Sequence, residues 1–339
     1  MTIITGKGAS SADVSRQKCE GVPLSIVVVV HNMPKQAERT LHSLSPTYQE
    51  GVEEGDYEVI VVENRSNNNL SSEALKSMPS NFSYHLRVET EPSPVHAINF
   101  GGSLARGDNI CCMIDGARMV TPGVVKNLLN ASRMNPNAVV TVPGFHLGFS
   151  LQQYAADFGY GERQEKQLLR KISWPECGYK LFDISCFSGS CQSGIFLPNS
   201  ESNCISVPRW LWHKLGGFDR RFSLPGGGLI NLDFYKRACE FPESQHIVLM
   251  GEGTFHQFHG GVTTGGISKV AREVLLEQFE AQYFAIRGAY YQCPVTEPLF
   301  MGTVRPEIQR FIEQSISMLT ENRKSSQMDT RANVRAIDG

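Results

Sequence analysis

The chain has 339 residues, of which 41% are hydrophobic and 19% are charged, and its net charge is −2. These values are typical of a globular protein, and the length allows one large α/β domain with extensions or two smaller domains. With 32 basic and 34 acidic residues, it has no strong field to attract nucleic acid, so no nucleic-acid partner is expected. The longest apolar run, LSIVVVV, is too short to cross a bilayer, which leaves a peripheral membrane contact open.

The cysteines indicate a reducing compartment. There are nine, and the odd count and the lack of any C-x-x-C pair argue against a complete disulfide framework. The N-terminal residues also lack the apolar core of a signal peptide. We therefore expect a cytoplasmic protein.

In chain order, strand patterns alternate with helix patterns. Apolar, β-branched runs at 24–30, 57–62 and 109–114 are each followed by a polar loop and a helical pattern, and NAVVTVPGF adds a fourth strand. Strands that are apolar throughout are typical of a sheet buried on both faces. The alternation predicts an α/β fold with a mostly parallel, Rossmann-like central sheet flanked by helices.

Composition divides the chain further. We expect a flexible N-terminal arm, one α/β domain made of a nucleotide-binding half and an acceptor-side half, C-terminal helices and a disordered tail. The arm covers residues 1–21, and the domain covers 22–265, with its nucleotide-binding half at 22–143 and its acceptor-side half at 144–265. The helices cover 266–320 and the tail 321–339.

Polar residues follow the predicted strands. They are His31, Asn32, Glu63, Asn64 and Asp115. The loops at the carboxyl ends of parallel strands are where such sheets bind ligands. An acid in this position can accept hydrogen bonds from a base or a ribose, so these residues are candidates for nucleotide binding.

Later segments add metal-binding and acid–base chemistry. GEGTFHQFHGG brings His256 and His259 together between glycines, and a Gly-rich stretch contains Asp219 and Asp233. A cation held by a carboxylate and an imidazole can neutralise a leaving diphosphate. A second carboxylate away from the metal can accept the proton of an attacking hydroxyl.

Taken in order, these segments resemble the GT-A glycosyltransferases, most closely the inverting family 2, over roughly residues 23–262. SIVVVVHN resembles the opening strand and nucleotide loop, and EVIVVENRSNN resembles the strand before D-[DN]-G-S, with Glu63 at the base-binding Asp. ICCMIDGARMVTPG resembles the D-x-D region, where Asp115 matches the first Asp and Ala117 replaces the second.

Three later motifs extend the resemblance. LGGFDRRF matches G-G-F-D-x-x-F, and HQFHGG resembles the segment that returns a metal-binding His to the diphosphate. GGGLINLDFYKR resembles G-x-E-D-x-D-x-x-x-R, with Asp233 at the final Asp and Asn231 at the usual catalytic Asp.

The resemblance implies a glycosyltransferase of the GT-A fold, with a C-terminal helical extension, that transfers a sugar from a nucleotide donor, foremost a UDP-sugar. It implies an inverting, metal-assisted reaction with Mn²⁺ or Mg²⁺, and a glycan or lipid-linked acceptor in polysaccharide assembly. The implied metal ligands are Asp115 with His259 first and His256 second, and the implied base is Asp233. Sugar and acceptor contacts fall to Glu201, Asn203, Gly227 and Gly228.

Several alternatives stay open at this level. If the two histidines lie on an extended segment, side chains three apart point to opposite faces, so only one is expected to reach the metal. Arg118 is expected to face solvent. Asp233 lies at a helix start, where a carboxylate is often structural. Ala117 and Asn231 favour the alternative of a catalytically impaired nucleotide-sugar-binding protein.

Overall fold

The computed structural model of the protein describes residues 21–89, 91–259 and 268–337, with side chains up to residue 324. Apart from its last residue, the arm predicted at 1–21 lies outside the described residues, as do the two glycines that end HQFHGG.

The described residues form twelve strands. They are β1 (Leu24–Val30), β2 (Tyr57–Asn64), β3 (Phe82–Arg87), β4 (Asn109–Met113), β5 (Arg118–Val120), β6 (Ala138–Thr141), β7 (Gly144–Leu147), β8 (Ser185–Phe187), β9 (Ile205–Pro208), β10 (Gln245–Leu249), β11 (Thr254–His256) and β12 (Leu299–Met301).

Ten α-helices occur in the same residues. They are α1 (Pro34–Ser43), α2 (Ser72–Lys76), α3 (Val95–Leu104), α4 (Val124–Met134), α5 (Gln152–Ala155), α6 (Glu162–Lys171), α7 (Arg209–Leu215), α8 (Ile230–Cys239), α9 (Lys269–Arg287) and α10 (Gln309–Ile337).

The main sheet of the described chain has eight strands in the order β12-β10-β6-β9-β4-β1-β2-β3. The pairings are parallel except for β9, which lies antiparallel between β4 and β6. The carboxyl ends of β1, β2 and β4 therefore share one edge with the start of β9. The mainly parallel sheet flanked by helices confirms the predicted fold class.

Strand β1 shows why the apolar runs form the centre of this sheet. Its alternate residues pack into two separate cores, Ile26 and Val28 with α1 and α4 on one face, Val27 and Val29 with α3 and α8 on the other. Each side chain buried in this way adds about 1.5–3 kcal/mol to the hydrophobic stabilisation.

A second, smaller sheet has the order β5-β11-β7-β8. In its register His256 of β11 lies opposite Arg118 of β5 and beside His146 of β7. Because β5 follows the Asp115 turn directly, this pairing brings the end of β11 to the carboxyl end of β4.

The C-terminal part consists of α9 and α10, with strand β12 between them at the edge of the main sheet. Helix α10 runs to Ile337 and so extends through most of the segment predicted to be disordered from residue 321. That segment has no proline and its only glycine is the last residue, so its Glu, Lys, Arg, Gln and Ala residues can continue a helix. Among the described residues, no helix has the length and apolar character needed to span a membrane.

Candidate functional site

The turn after β4 places Asp115 at the edge of the main sheet that is formed by the carboxyl ends of β1, β2 and β4. Its Oδ1 accepts a hydrogen bond from the backbone N–H of Ala117 at 3.0 Å. Gly116 crosses the end of β1 so closely that a Cβ there would lie 2.6 Å from the Val29 carbonyl oxygen. The turn therefore needs glycine at this position, and it fixes the direction of the Asp115 carboxylate.

Ala117, which replaces the second Asp of D-x-D, contributes to the site through its backbone carbonyl. The side chain of Ala117 is fully buried, and its carbonyl accepts a hydrogen bond from the N–H of Gln257 at 2.9 Å. Ala117 thus joins the Asp115 turn to the histidine segment.

Arg118 does not face solvent, so that expectation was wrong. It is only 8% exposed, and its Nε lies 3.2 Å from Oδ2 of Asp115. The antiparallel pairing of β5 with β11 covers it, because Arg118 lies opposite His256 in the register.

Both histidines reach Asp115, which corrects the expectation that only one would. His256 Nε2 lies 3.3 Å from Asp115 Oδ2, His259 Nε2 lies 3.7 Å from Oδ1, and the two Nε2 atoms are 3.1 Å apart. One ligand atom from each of the three residues falls within 4.8 Å of the others.

The histidines converge because β11 ends at His256 and the chain then bends. The side-chain amide of Gln257 donates to the Gln36 carbonyl of α1 at 2.9 Å. The backbone N–H of Phe258 donates to the buried Glu165 carboxylate of α6 at 2.5 Å. With both intervening residues held, His259 returns to the same side as His256, and the strand periodicity no longer applies.

Gln152 sets the tautomer of His256, and the sequence had not indicated it. Its amide nitrogen donates to the carbonyls of Leu147 (3.2 Å) and His256 (2.9 Å). The amide oxygen therefore faces His256 Nδ1, at 2.5 Å, and accepts a hydrogen bond from the N–H at that position. His256 Nε2 is then left with its lone pair directed at Asp115 and His259.

The charges at the cluster suit a cation. Burial raises the pKa of Asp115, but the adjacent His256, His259 and Arg118 lower it by more than burial raises it. The pKa of Asp115 therefore lies well below its usual range. Burial lowers the pKa of His256 to about 4 and also lowers that of His259. An ionised carboxylate and two neutral imidazoles are the forms that bind a divalent metal ion.

Glu63 was expected to contact the base of a nucleotide, but its side chain points into the protein. It is completely buried, and its carboxylate accepts hydrogen bonds from the Leu70 N–H at 3.1 Å and the Tyr84 hydroxyl at 2.6 Å. It therefore holds the loop that follows β2 rather than presenting its charge at the surface of that loop.

The residues around that loop are accessible. His31 and Asn32 are exposed, and Asn32 has a left-handed backbone with φ of 55°. His31 Nδ1 lies 3.3 Å from the Asn64 carbonyl oxygen, which joins the loops after β1 and β2. The side-chain oxygen of Asn64 is buried and has no hydrogen-bond partner among the described residues.

Asp233, the expected base, is buried between two arginines. Arg237 Nε donates to its Oδ2 at 2.7 Å, and Arg287 donates from Nε to Oδ1 at 2.6 Å and from Nη2 to Oδ2 at 2.8 Å. Only 1% of its side chain is exposed. Both oxygens are thus engaged in ion pairs that connect α8 to the end of α9, which favours a structural role for Asp233 over the expected role as the base.

The candidate sugar and acceptor residues divide into two groups. Glu201 is partly exposed and its Oε2 accepts a hydrogen bond from Asn231 Nδ2 at 2.6 Å, whereas Asn203 is buried. Gly227 and Gly228 have positive φ values of 84° and 57°, and a Cβ at Gly228 would lie 3.4 Å from the Phe279 ring of α9. The two glycines allow the chain that leads into α8 to pack closely against α9.

Comparisons with known proteins agree with this architecture. Residues 25–187, just under half of the chain, match the family model described as Glycosyl transferase family 2. The solved structure of residues 1–349 of S. aureus TarS in complex with UDP-GlcNAc is 12% identical, has a TM-score of 0.50, and is matched over 78% of this chain and 67% of that one. At this identity the likeness shows the fold alone.

A second solved structure, of S. aureus TarS, is also 12% identical, with a TM-score of 0.49 and a match over 78% of this chain. The chain spans only 44% of the length of that one. No curated protein matches the sequence.

Proposed function

We propose that this protein, a glycosyltransferase that carries a glycosyl transferase family 2 domain over residues 25–187, transfers a sugar from a UDP-linked donor with the help of a divalent metal ion. The family match and the UDP-GlcNAc complex of the similar TarS structure support the donor class. The family resemblance supports an inverting transfer to a glycan or lipid-linked acceptor in polysaccharide assembly. The unpaired cysteine pattern supports a cytoplasmic location.

The observation that carries the metal site is the convergence of one candidate ligand atom from each of Asp115, His256 and His259. Gln152 leaves His256 Nε2 without a proton, yet this atom lies 3.3 Å from a carboxylate oxygen and 3.1 Å from His259 Nε2. Lone pairs at these distances repel unless a cation lies between them. The residues therefore fit a divalent metal ion that accepts imidazole ligands, of which Mn²⁺ is the one we test, and a proton on His259 can bridge the two imidazoles when no metal is bound.

In this proposal Asp115, His256 and His259 hold the metal, and Arg118 keeps the Asp115 carboxylate oriented. A bound divalent ion supplies positive charge to the departing diphosphate. The exposed His31 and the end of β2 at Asn64 lie at the carboxyl edge of the sheet, where the nucleotide of the donor binds in folds of this kind.

Calorimetry tests the proposal directly. UDP binding should strengthen when Mn²⁺ is present, and this coupling should disappear in Asp115→Ala. Asp108→Ala, an exposed residue just before the opposite end of β4, is the matched control and should keep the coupling. Equal UDP affinity of the wild type with and without Mn²⁺ would refute the metal site.

The alternative is a nucleotide-sugar-binding protein that has lost catalysis, which the replacements at Ala117 and Asn231 favour. Release of UDP from UDP-GlcNAc in the absence of an acceptor separates the two. Slow, metal-dependent release supports the enzyme, and binding without release supports the alternative.

A further inference from the structure

The family's usual catalytic carboxylate is replaced in this chain by an amide, Asn231, which cannot accept a proton at neutral pH. The next acid along, Asp233, is enclosed by two arginines. A transferase that removes a proton from its acceptor needs another carboxylate at this edge of the sheet.

Glu201 lies at the right place in the fold. It precedes β9 by four residues, and Asp115 follows β4 by two. The two strands are antiparallel neighbours, with Ile205 of β9 opposite Cys112 of β4. Glu201 and Asp115 therefore lie at the same edge of the main sheet.

Asn231 orients the Glu201 carboxylate. Its amide nitrogen donates to Glu201 Oε2 at 2.6 Å and to the Ser202 carbonyl at 3.1 Å, so both amide protons are used. Among the described residues, the other oxygen of Glu201 accepts no hydrogen bond. Asn231 itself lies in the first turn of α8, so the helix fixes its position.

The backbone on both sides of Glu201 is fixed. The Tyr291 hydroxyl donates to the Ser200 carbonyl at 2.5 Å. The buried Ser202 hydroxyl oxygen accepts hydrogen bonds from the backbone N–H groups of Val142 and Cys204 at 3.3 and 3.2 Å, and the carbonyl oxygens of the same two residues lie within reach of its single proton. A catalytic group is effective when its surroundings hold it before the substrate arrives, and these contacts provide that.

We propose that Glu201 is the general base of the proposed transfer and that Asn231 is its positioning residue; the inference rests on the function proposed above. Glu201 takes the proton of the attacking hydroxyl, whose oxygen forms a bond to the anomeric carbon of the sugar. The bond from that carbon to the diphosphate breaks, and the nucleotide diphosphate leaves with the electron pair. In this chain the amide of Asn231 occupies the position of the family's usual catalytic Asp, and the carboxylate that it contacts is that of Glu201.

Variants of Glu201 and Asn231 test this proposal. UDP release from UDP-GlcNAc with Mn²⁺ is measured across pH, with water as the acceptor, and UDP binding is measured by calorimetry. In Glu201→Gln, kcat should fall by about 10²- to 10⁴-fold, the usual contribution of a general base, while UDP binding stays at the wild-type level. The fall of rate on the acid side of the pH profile should disappear with it.

The double variant Glu201→Gln/Asn231→Asp moves the carboxylate to position 231 and the amide to position 201. It keeps both the pair's charge and a hydrogen bond between the two side chains. It should recover activity relative to Glu201→Gln, because it places a carboxylate at the position of the family's usual catalytic Asp. Glu243→Gln is the control, because Glu243 is exposed just before β10, at the opposite edge of the sheet.

The outcomes separate cleanly. A wild-type rate in Glu201→Gln overturns the base while leaving the proposed function intact, and so does a folded double variant without activity. A loss of UDP binding that parallels the loss of rate also overturns it. If the wild type binds UDP-GlcNAc and Mn²⁺ but releases no UDP, the proposed function fails and the base fails with it.

Discussion

Replacing Asp233 by Asn tests whether this buried carboxylate supports the structure or the chemistry. Its two oxygens receive three short hydrogen bonds from Arg237 and Arg287, and its side chain is 1% exposed. The substitution keeps the shape and removes the charge, so two arginines lose their common partner.

The magnitude follows from the burial of the three groups. Removing one member of a buried ion pair costs about 3–5 kcal/mol. Both arginine side chains are 23% exposed and can regain part of their hydration, which favours the lower limit. We expect Asp233→Asn to lower the free energy of unfolding by about 3 kcal/mol, a change of roughly a hundredfold in the folding equilibrium.

Urea unfolding followed by circular dichroism measures this change, and UDP release from UDP-GlcNAc measures the effect on activity at a temperature where the variant is folded. Glu273→Gln is the control, since its pair with Lys269 is 3.8 Å long and largely exposed and should contribute less than about 0.5 kcal/mol. A variant of wild-type stability whose kcat falls by two orders of magnitude would show that Asp233 acts in the reaction and that our interpretation of its ion pairs is wrong.

Three further predictions concern the residues around the site. Gln152→Leu should weaken Mn²⁺ binding about 10- to 100-fold, because His256 loses the partner that fixes its tautomer; an unchanged affinity in a titration would contradict this. Burial raises the pKa of Glu165 from 4.5 to about 7, so the folded state binds the extra proton and stability should fall by about 3 kcal/mol as pH rises from 4.5 to 7. Unfolding experiments at several pH values should show this slope reduced in Glu165→Gln and retained in Glu162→Gln, whose carboxylate is 43% exposed. Glu63→Gln should raise KM for the UDP-sugar with little effect on kcat, because it loosens the loop that ends at Leu70; a loss confined to kcat would argue against a positioning role.

The sequence was most informative where burial is symmetric. Strand β1 occupies the predicted residues 24–30, because a run that is apolar on both faces has no other stable place than the centre of a sheet. Strand β3 was not predicted, since FSYHLR is a mixed, partly exposed segment at the sheet edge. The strands of the second sheet have only three or four residues each, too few to show a period.

The site shows a similar division. Motif order was sufficient to connect Asp115 with the two histidines, although they lie far apart in the chain. The partners that decide each residue's state are not in any motif. Gln152 is 104 residues from His256, and Arg287 is 54 residues from Asp233. Such contacts depend on how helices outside the motifs pack, which local patterns do not encode.

Helix α1 connects the two ends of the candidate site. The exposed His31 loop leads directly into it, and further along, its Gln36 carbonyl and Arg39 guanidinium bind Gln257, beside the histidines. Because a helix rises about 1.5 Å per residue and is stiff, α1 fixes the distance between the His31 loop, where we propose that the nucleotide binds, and the histidines that we propose hold the metal. The spacing of these two regions is therefore set by a helix that contributes none of the candidate metal ligands. A one-residue insertion in α1 would turn its anchoring face by about 100° and separate the two ends without altering a single ligand.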